Sequence, residues 1–298
     1  MKSKKKNKQI KKIQKQTLPA KSTQKEETWL SKEAILKLAV AFLLIELIGI
    51  FVAKNLFAQG LSQAIFSENI NDSINGFYLF GMIILTTVLF LLIIKFKRTK
   101  KLLWAIEMLA IFSTSLIVFS SFFPNDYIIA LLLTAIIFAL RYSRIKSVPI
   151  RSLVAGIAIM GAGAYIGISL GLIPLVVFVS ILSLYDIVAV FFTKHMVKIG
   201  QESTQNNFAF TVALPTKQHN FELGNGDLVI PLAIAASVLT NGPFRFNWLI
   251  AGLILGMSFL GLGLSLQFVS RYKTPLPALP PQVMLMLITI LLGILLGA

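Results

Sequence analysis

Nine mostly apolar stretches run along this chain, and they constrain its fold more than any other feature. Each is about 17 to 25 residues long, the length of a helix that crosses the hydrocarbon core of a bilayer. Only 13% of the 298 residues are charged and the mean hydropathy is +0.81, which excludes an ordinary soluble domain. We therefore predict an all-α polytopic membrane protein with nine transmembrane helices. The predicted spans lie near residues 34–57, 76–95, 102–123, 127–143, 152–171, 173–193, 227–243, 247–267 and 280–297.

The N-terminal segment differs from the rest of the chain. Residues 1–32 contain eleven of the 28 lysines and arginines and almost no apolar residues to bury. This composition is typical of a disordered basic tail. The segment is too long and too polar to begin a cleaved signal peptide, so we expect the first span to be retained. The predicted organisation is a cytoplasmic tail at 1–32 and a nine-span domain at 33–298.

The distribution of basic residues predicts how the chain is oriented. Cytoplasmic loops collect lysine and arginine, and here the tail and the even-numbered loops are basic, whereas the odd-numbered loops offer only Lys54 and Arg245. We expect a cytoplasmic N-terminus and a C-terminus on the opposite side. The net charge of +16 then reflects topology and attraction to membrane lipids, so nucleic acid is not an expected partner. The basic residues of the even loops are Lys95, Lys97, Arg98, Lys100, Lys101, Arg141, Arg144, Lys146, Arg151, Lys194, Lys198, Lys217, Arg271 and Lys273.

Four acidic residues fall within predicted spans, where an unpartnered charge is costly. Glu107 follows a cluster of lysines by two helical turns, and we expect it to pair with Lys100 or Lys101 at the membrane boundary. Glu46 lies near the middle of the first span, and the sequence leaves structural pairing and a functional role open. Asp186 and Asp227 differ because their depths can be compared.

Asp186 and Asp227 are predicted to lie at similar depth in the membrane. Asp186 precedes Lys194 by eight residues, which places it about 12 Å from the cytoplasmic end of its span at 1.5 Å per residue. Asp227 opens a span that runs only about 15 residues before "NGP" at 241–243, or about 22 Å, whereas the hydrocarbon core is about 30 Å thick. Such a short span suggests that the helix begins below the cytoplasmic surface, after a non-helical "GNG" stretch.

Two carboxylates at one depth are suited to acid–base chemistry. Because like charges close together cannot both ionise, the pair holds one proton, and one member acts as base while the other acts as acid. The base takes a proton from water and the acid polarises an amide carbonyl, which is the chemistry of an aspartic protease. Gly224 and Gly226 lack Cβ and would allow close approach by a substrate backbone or a neighbouring helix.

A proton- or cation-coupled transporter or channel could use the same two carboxylates, because facing carboxylates and a broken helix also occur in ion pathways. That class predicts an internal repeat, and the halves of this chain show no convincing correspondence. A non-catalytic membrane scaffold is a third alternative, but it leaves the paired aspartates unexplained. The chain has no cysteine and only two histidines, and we expect neither a metal nor another cofactor.

Three short motifs resemble those of one known family. "YD" at Tyr185 and Asp186, "GNGD" at 224–227 and "PAL" at 277–279 are similar, in order and span position, to the motifs of the presenilin and signal-peptide-peptidase group of intramembrane aspartyl proteases. The GxGD pattern has Asn225 at its variable position. The predicted orientation and the short sixth loop look most like a microbial, especially archaeal, presenilin homologue.

The resemblance implies a presenilin-like fold with Asp186 and Asp227 as the catalytic residues and no metal. It implies substrates that are transmembrane helices or signal-peptide remnants. It also implies that Pro277, Ala278 and Leu279 shape the substrate groove. Tyr185 could hydrogen-bond in the site, although packing between helices is an alternative role.

The loop between spans six and seven contains the sequence "FAFTVAL" at 208–214. Phe210, Val212 and Leu214 alternate with other residues, which predicts a short strand. A hydrophobic loop on the membrane surface is the alternative. A strand there could bind an unwound substrate by adding it to an exposed edge.

Glycines recur at a spacing of four in the fifth, eighth and ninth spans. This spacing favours close packing of helices within the chain, and contact between copies in a homo-oligomer is the alternative. The glycines are Gly163, Gly167, Gly171, Gly252, Gly256, Gly293 and Gly297.

Overall fold

The computed structural model describes residues 32–61, 65–95, 99–143, 147–193, 209, 211–215, 220–272 and 277–297. Within these ranges the chain is mostly helical, with nine α-helices and two short strands. A π-helical segment, Ala189–Thr193, continues the sixth helix. The elements are α1 (Lys32–Ala58), α2 (Ile74–Lys95), α3 (Thr99–Phe122), α4 (Tyr127–Tyr142), α5 (Val148–Ser169), α6 (Leu172–Val188), β1 (Thr211–Pro215), β2 (Asn220–Gly224), α7 (Gly226–Asn241), α8 (Asn247–Tyr272) and α9 (Leu279–Leu295).

Each apolar stretch predicted from the sequence coincides with one of these helices, with differences of a few residues at the ends. Six of them, α1, α2, α3, α5, α6 with its π-helical continuation, and α8, are long and apolar enough to cross a membrane. Helices α4, α7 and α9 are apolar but shorter. Both predicted tight connections are present, at 123–126 and at 170–171. Residues 1–31 of the predicted tail lie outside the described part of the chain.

Large apolar side chains cover the outside of the helical bundle. Ile128 is 75% exposed, Leu109 70% and Trp248 68%. Monomeric soluble proteins rarely expose so extensive an apolar surface, because its contact with water is unfavourable, whereas lipid tails solvate it. The chain is therefore a multi-pass integral membrane protein.

Helices α5 and α7 lie at the centre of the bundle and pack closely against each other. Every residue of α7 from Ile230 to Val238 is buried. A Cβ added to Gly163 of α5 would lie 2.7 Å from a methyl carbon of Leu232, and one added to Gly167 would lie 2.6 Å from the Cβ of Ala236. Glycine is therefore required at both α5 positions for the helices to approach this closely.

The prediction that glycines spaced by four pack closely against other helices holds for only some of the helices. Close packing is confirmed in α5 and at Gly293, where an added Cβ would lie 3.0 Å from the ring of Phe244. It is wrong for Gly252 and Gly256, since a Cβ at either position would meet no described atom within 4 Å. Both lie on the outer face of α8. A spacing of four places glycines on one face of a helix but does not say which way that face points.

The predicted strand is present, although it begins later than expected. Strand β1 pairs antiparallel with β2, and Val212 lies opposite Leu223. Both side chains are buried in the main core cluster, so the alternative of a surface loop is wrong at this point. Phe208 and Phe210 lie outside the described residues. Strand β2 was not predicted, because only two apolar residues alternate in its sequence "NFELG".

Candidate active site

Asp227 is placed by the turn between β2 and α7. Strand β2 ends at Gly224, Asn225 forms the turn, and α7 begins at Gly226, one residue earlier than predicted. The backbone of Gly224 lies close to the Asp227 carboxylate, since a Cβ added to Gly224 would lie 3.3 Å from Oδ2. Asp227 lies in the first turn of α7, where the helix dipole favours a negative charge.

Asp186 lies near the end of α6 and is only 7% exposed. Its Oδ2 accepts a hydrogen bond from the backbone N–H of Leu279, at 3.4 Å. Leu279 is the first residue of α9, so this N–H is one of those that a helix N-terminus leaves without an intrahelical acceptor. The end of the "PAL" motif therefore contacts Asp186 through its backbone.

The two carboxylates are close enough to interact electrostatically. Three segments that are far apart in the sequence, at 185–186, 224–227 and 277–279, thus meet in one place. Asp186 accepts a backbone N–H from the "PAL" motif, and Asp227 lies against Gly224 of its own motif. Such a hydrogen bond fixes the orientation of a carboxylate without adding another charge.

Gly224 is matched closely to Asp227, whereas Gly226 is not. A Cβ on Gly224 would lie 3.3 Å from Oδ2 of Asp227. Gly226 is exposed, and a Cβ there would meet no described atom within 4 Å. The sequence allowed either a substrate or a neighbouring helix to approach Gly226. No helix among the described residues does so.

Among the other predicted substrate contacts, only Leu279 has a hydrogen bond to one of the aspartates among the described residues. The ring of Tyr185 packs edge-on against Phe80 of α2 at 5.9 Å between centroids, which agrees with the packing alternative. Pro277 and Leu279 are buried. Val212 is 3% exposed, so its side chain belongs to the core. Leu214 lies in β1, and Phe210 lies outside the described residues.

The predicted partner of Glu107 was wrong. Glu107 is 1% exposed and forms an ion pair with Arg141 of α4, with 2.6 Å between Nη2 and Oε1. Helices α3 and α4 form a tight hairpin, which brings residues 34 positions apart together. The sequence prediction considered only neighbours on the same helix. Glu46 is 1% exposed, and neither of its carboxylate oxygens has a hydrogen-bond partner among the described residues.

Sequence reasoning gave no role to the side chain of Asn225. Its Nδ2 donates to the backbone carbonyl of Ala209 at 2.9 Å. The signal was a polar residue at the variable position of the GxGD pattern, in a turn between a strand and a helix. The pattern alone could not reveal the partner, which lies 16 residues earlier.

These features define a class of protein: a polytopic membrane protein of packed helices that holds two interacting aspartates in its interior. The family model described as "Signal-peptide peptidase, presenilin aspartyl protease" matches residues 39–280, a range that contains all three motifs. The chain belongs to this family. It is an intramembrane aspartyl protease, as the motifs predicted.

The fold is similar to a solved structure of a presenilin family intramembrane aspartate protease. The TM-score is 0.67 at 21% sequence identity, and the match covers 88% of this chain and 99% of that chain. No curated protein matches the chain by sequence. Neither the family match nor the fold match supports the transporter alternative.

Proposed function

We propose that Asp186 and Asp227 are the catalytic pair of this protease. The observation that carries the proposal is the convergence of the three motifs. Leu279 donates to the Asp186 carboxylate, Gly224 lies against the Asp227 carboxylate, and the two carboxylates interact electrostatically. A pair so arranged can share one proton, which is the starting state of aspartic-protease catalysis.

Hydrolysis then needs no group beyond the two side chains and water. The ionised carboxylate removes a proton from water as the water oxygen attacks the scissile carbonyl carbon, and the protonated carboxyl gives its proton to the carbonyl oxygen. The resulting tetrahedral intermediate collapses when the carboxyl that took the water proton gives it to the amide nitrogen and the C–N bond breaks. The other carboxylate takes a hydroxyl proton from the intermediate as the carbonyl re-forms, which restores the starting state of the pair. The backbone N–H of Leu279 holds the Asp186 carboxylate in position during these transfers, and the first turn of α7 positions that of Asp227.

The proposed substrates are transmembrane helices of other membrane proteins or remnants of signal peptides. A helical substrate hides its amide bonds, so it must be unwound before water can attack. The β1–β2 hairpin leads directly into the turn that carries Asp227. In the described part of the chain each strand pairs only with the other, so an extended substrate could add to an outer edge.

The proposed topology is nine membrane crossings after a basic tail at 1–32, with the N-terminus in the cytoplasm. Helix α7 has 16 residues, or about 24 Å at 1.5 Å per residue, and would cross only where the bilayer is thinned or protein surrounds its ends. Tags near Arg144 and after Lys15 should be labelled from the cytoplasm, and tags at Asp126 and after Ala298 from the other side. A cytoplasmic C-terminal tag would contradict nine crossings.

The catalytic assignment is tested by neutral substitutions of the same shape. Asp186→Asn and Asp227→Asn should each abolish cleavage of a transmembrane peptide in detergent, while the melting temperature stays close to that of the wild type. Asp126→Asn is the matched control, because Asp126 is exposed in the α3–α4 turn and its side chain makes no capping hydrogen bond. Substantial cleavage by either active-site variant would refute the assignment.

A further inference from the structure

A buried network connects α3 and α4 to the turn that carries Asp227. Oε1 of Glu107 accepts hydrogen bonds from two nitrogens of Arg141, at 3.0 and 2.6 Å. The same oxygen accepts the backbone N–H of Ala209 at 2.8 Å, across 102 residues of sequence. Three donors therefore converge on one carboxylate oxygen.

Ala209 is held from both sides of its backbone. Glu107 binds its N–H, and Nδ2 of Asn225 donates to its carbonyl oxygen at 2.9 Å. Ala209 is 3% exposed and belongs to the main core cluster. The contacts thus form a continuous path from Arg141 through Glu107 and Ala209 to Asn225.

The side chain of Asn225 does not cap the N-terminus of α7. Asn225 precedes the first residue of α7, a position where asparagine commonly accepts an N–H of the first helical turn. Here it makes no capping bond, and its Oδ1 has no partner among the described residues. Its amide is directed to Ala209 instead. The residue is therefore used to hold the turn against the rest of the protein.

Displacement of the network is costly because its charged side chains are buried. The side chains of Arg141 and Glu107 are 10% and 2% exposed. Hydrogen bonds to charged groups are short and strong, and removing one partner from a buried pair leaves the other charge uncompensated. Displacement of Ala209 would break at least one of these bonds.

We propose that Glu107, Arg141 and Asn225 are positioning residues that fix the turn carrying Asp227 through their shared contact with Ala209. The inference rests on the proposed function of Asp227. Backbone N–H groups of Leu228 and Val229 bond to the carbonyl of Asn225, so a shift of this turn would move the first turn of α7 with it. Among the described residues, no hydrogen bond joins the network to the carboxylate of Asp186 or of Asp227. The network therefore acts on Asp227 through the backbone.

The experiment compares Asn225→Ala, Glu107→Ala and the double variant in cleavage of a transmembrane peptide. Each single variant should lower kcat about ten-fold and leave KM within about two-fold, because small misplacements of a catalytic group affect the chemical step. If both act through Ala209, the double variant should be no slower than the slower single variant. Independent effects would instead multiply to about 100-fold.

A matched control separates positioning from general loss of stability. Ser237→Ala removes a buried hydrogen bond of 2.8 Å to the carbonyl of Leu170, which is remote from the turn. It should lower the melting temperature as Asn225→Ala does but leave kcat unchanged. If Glu107→Ala does not fold, Asn225→Ala alone tests the inference. Glu107→Gln is then the conservative variant, and its kcat should stay within about two-fold of the wild type because its amide oxygen can still accept the Ala209 N–H.

Wild-type kcat for Asn225→Ala, or a kcat loss equal to that of Ser237→Ala at equal stability, would overturn the inference. Asp227→Asn is assayed in parallel. If it abolishes cleavage while Asn225→Ala is fully active, only the positioning role fails. If it still cleaves, the proposed catalytic pair fails instead.

Discussion

Substituting the two glycines of the "GNGD" motif separately tests how closely the turn is fitted to Asp227. An added Cβ at Gly224 would lie 3.3 Å from Oδ2 of Asp227 and 3.9 Å from its Cγ. A Cβ contact of 3.3 Å is tighter than most that occur in proteins, so Gly224→Ala must displace the carboxylate by a few tenths of an ångström. A displacement of about 1 Å can lower a rate about 100-fold. We therefore expect kcat to fall about three- to ten-fold.

Gly226→Ala is the matched control in the same motif. It adds the same methyl group two residues later, where no described atom lies within 4 Å. Gly226 is the first residue of α7, and alanine there should stabilise the fold by about 0.4 to 1 kcal/mol through the unfolded chain. Its kcat should equal that of the wild type because the methyl group leaves Asp227 in place, and a substrate that approaches Gly226 closely would show itself as a higher KM. The assay is the initial cleavage rate of a transmembrane peptide over a range of concentrations, together with the melting temperature of each variant. Equal kcat losses in the two variants would refute the reasoning.

Two further predictions concern stability. Glu46→Leu removes a buried carboxyl that has no hydrogen-bond partner among the described residues, and should raise the free energy of unfolding by about 1 to 3 kcal/mol. A lower melting temperature in detergent would contradict this, because it would mean that the carboxyl makes a stabilising interaction. Gly167→Ile should prevent folding because its side chain would meet the backbone of Ala233. Gly252→Ile, on the outer face of α8, should still fold. The yield of monodisperse protein measures both effects, and similar yields would contradict the close packing of α5 against α7.

The helices could be predicted from the sequence because the bilayer imposes a length and a composition on each of them. The two aspartates could be predicted because a carboxylate is rare in an apolar helix and needs a reason to be there. The helix prediction depends on local sequence alone, and the structure has a helix at each predicted stretch. The catalytic role of Asp186 and Asp227 stays a prediction, which the asparagine variants test.

The contacts around the aspartates could not be predicted in the same way. Glu107 and Arg141 are 34 residues apart, Asn225 and Ala209 16, and Leu279 and Asp186 93. Such pairs depend on how helices are arranged in space, and no periodicity in one helix encodes the arrangement of its neighbours. The same limit explains why the glycines of α8 were expected to pack inward.

The most direct test of intramembrane proteolysis is to locate the cut sites. The purified protein is incubated in detergent with a peptide that contains one transmembrane helix with polar flanks, and the products are identified by mass spectrometry. The account predicts new termini inside the apolar segment, as pairs of fragments that add up to the peptide plus one water, and none with Asp227→Asn. Cleavage only in the polar flanks, or an intact peptide with the wild-type protein, would contradict it.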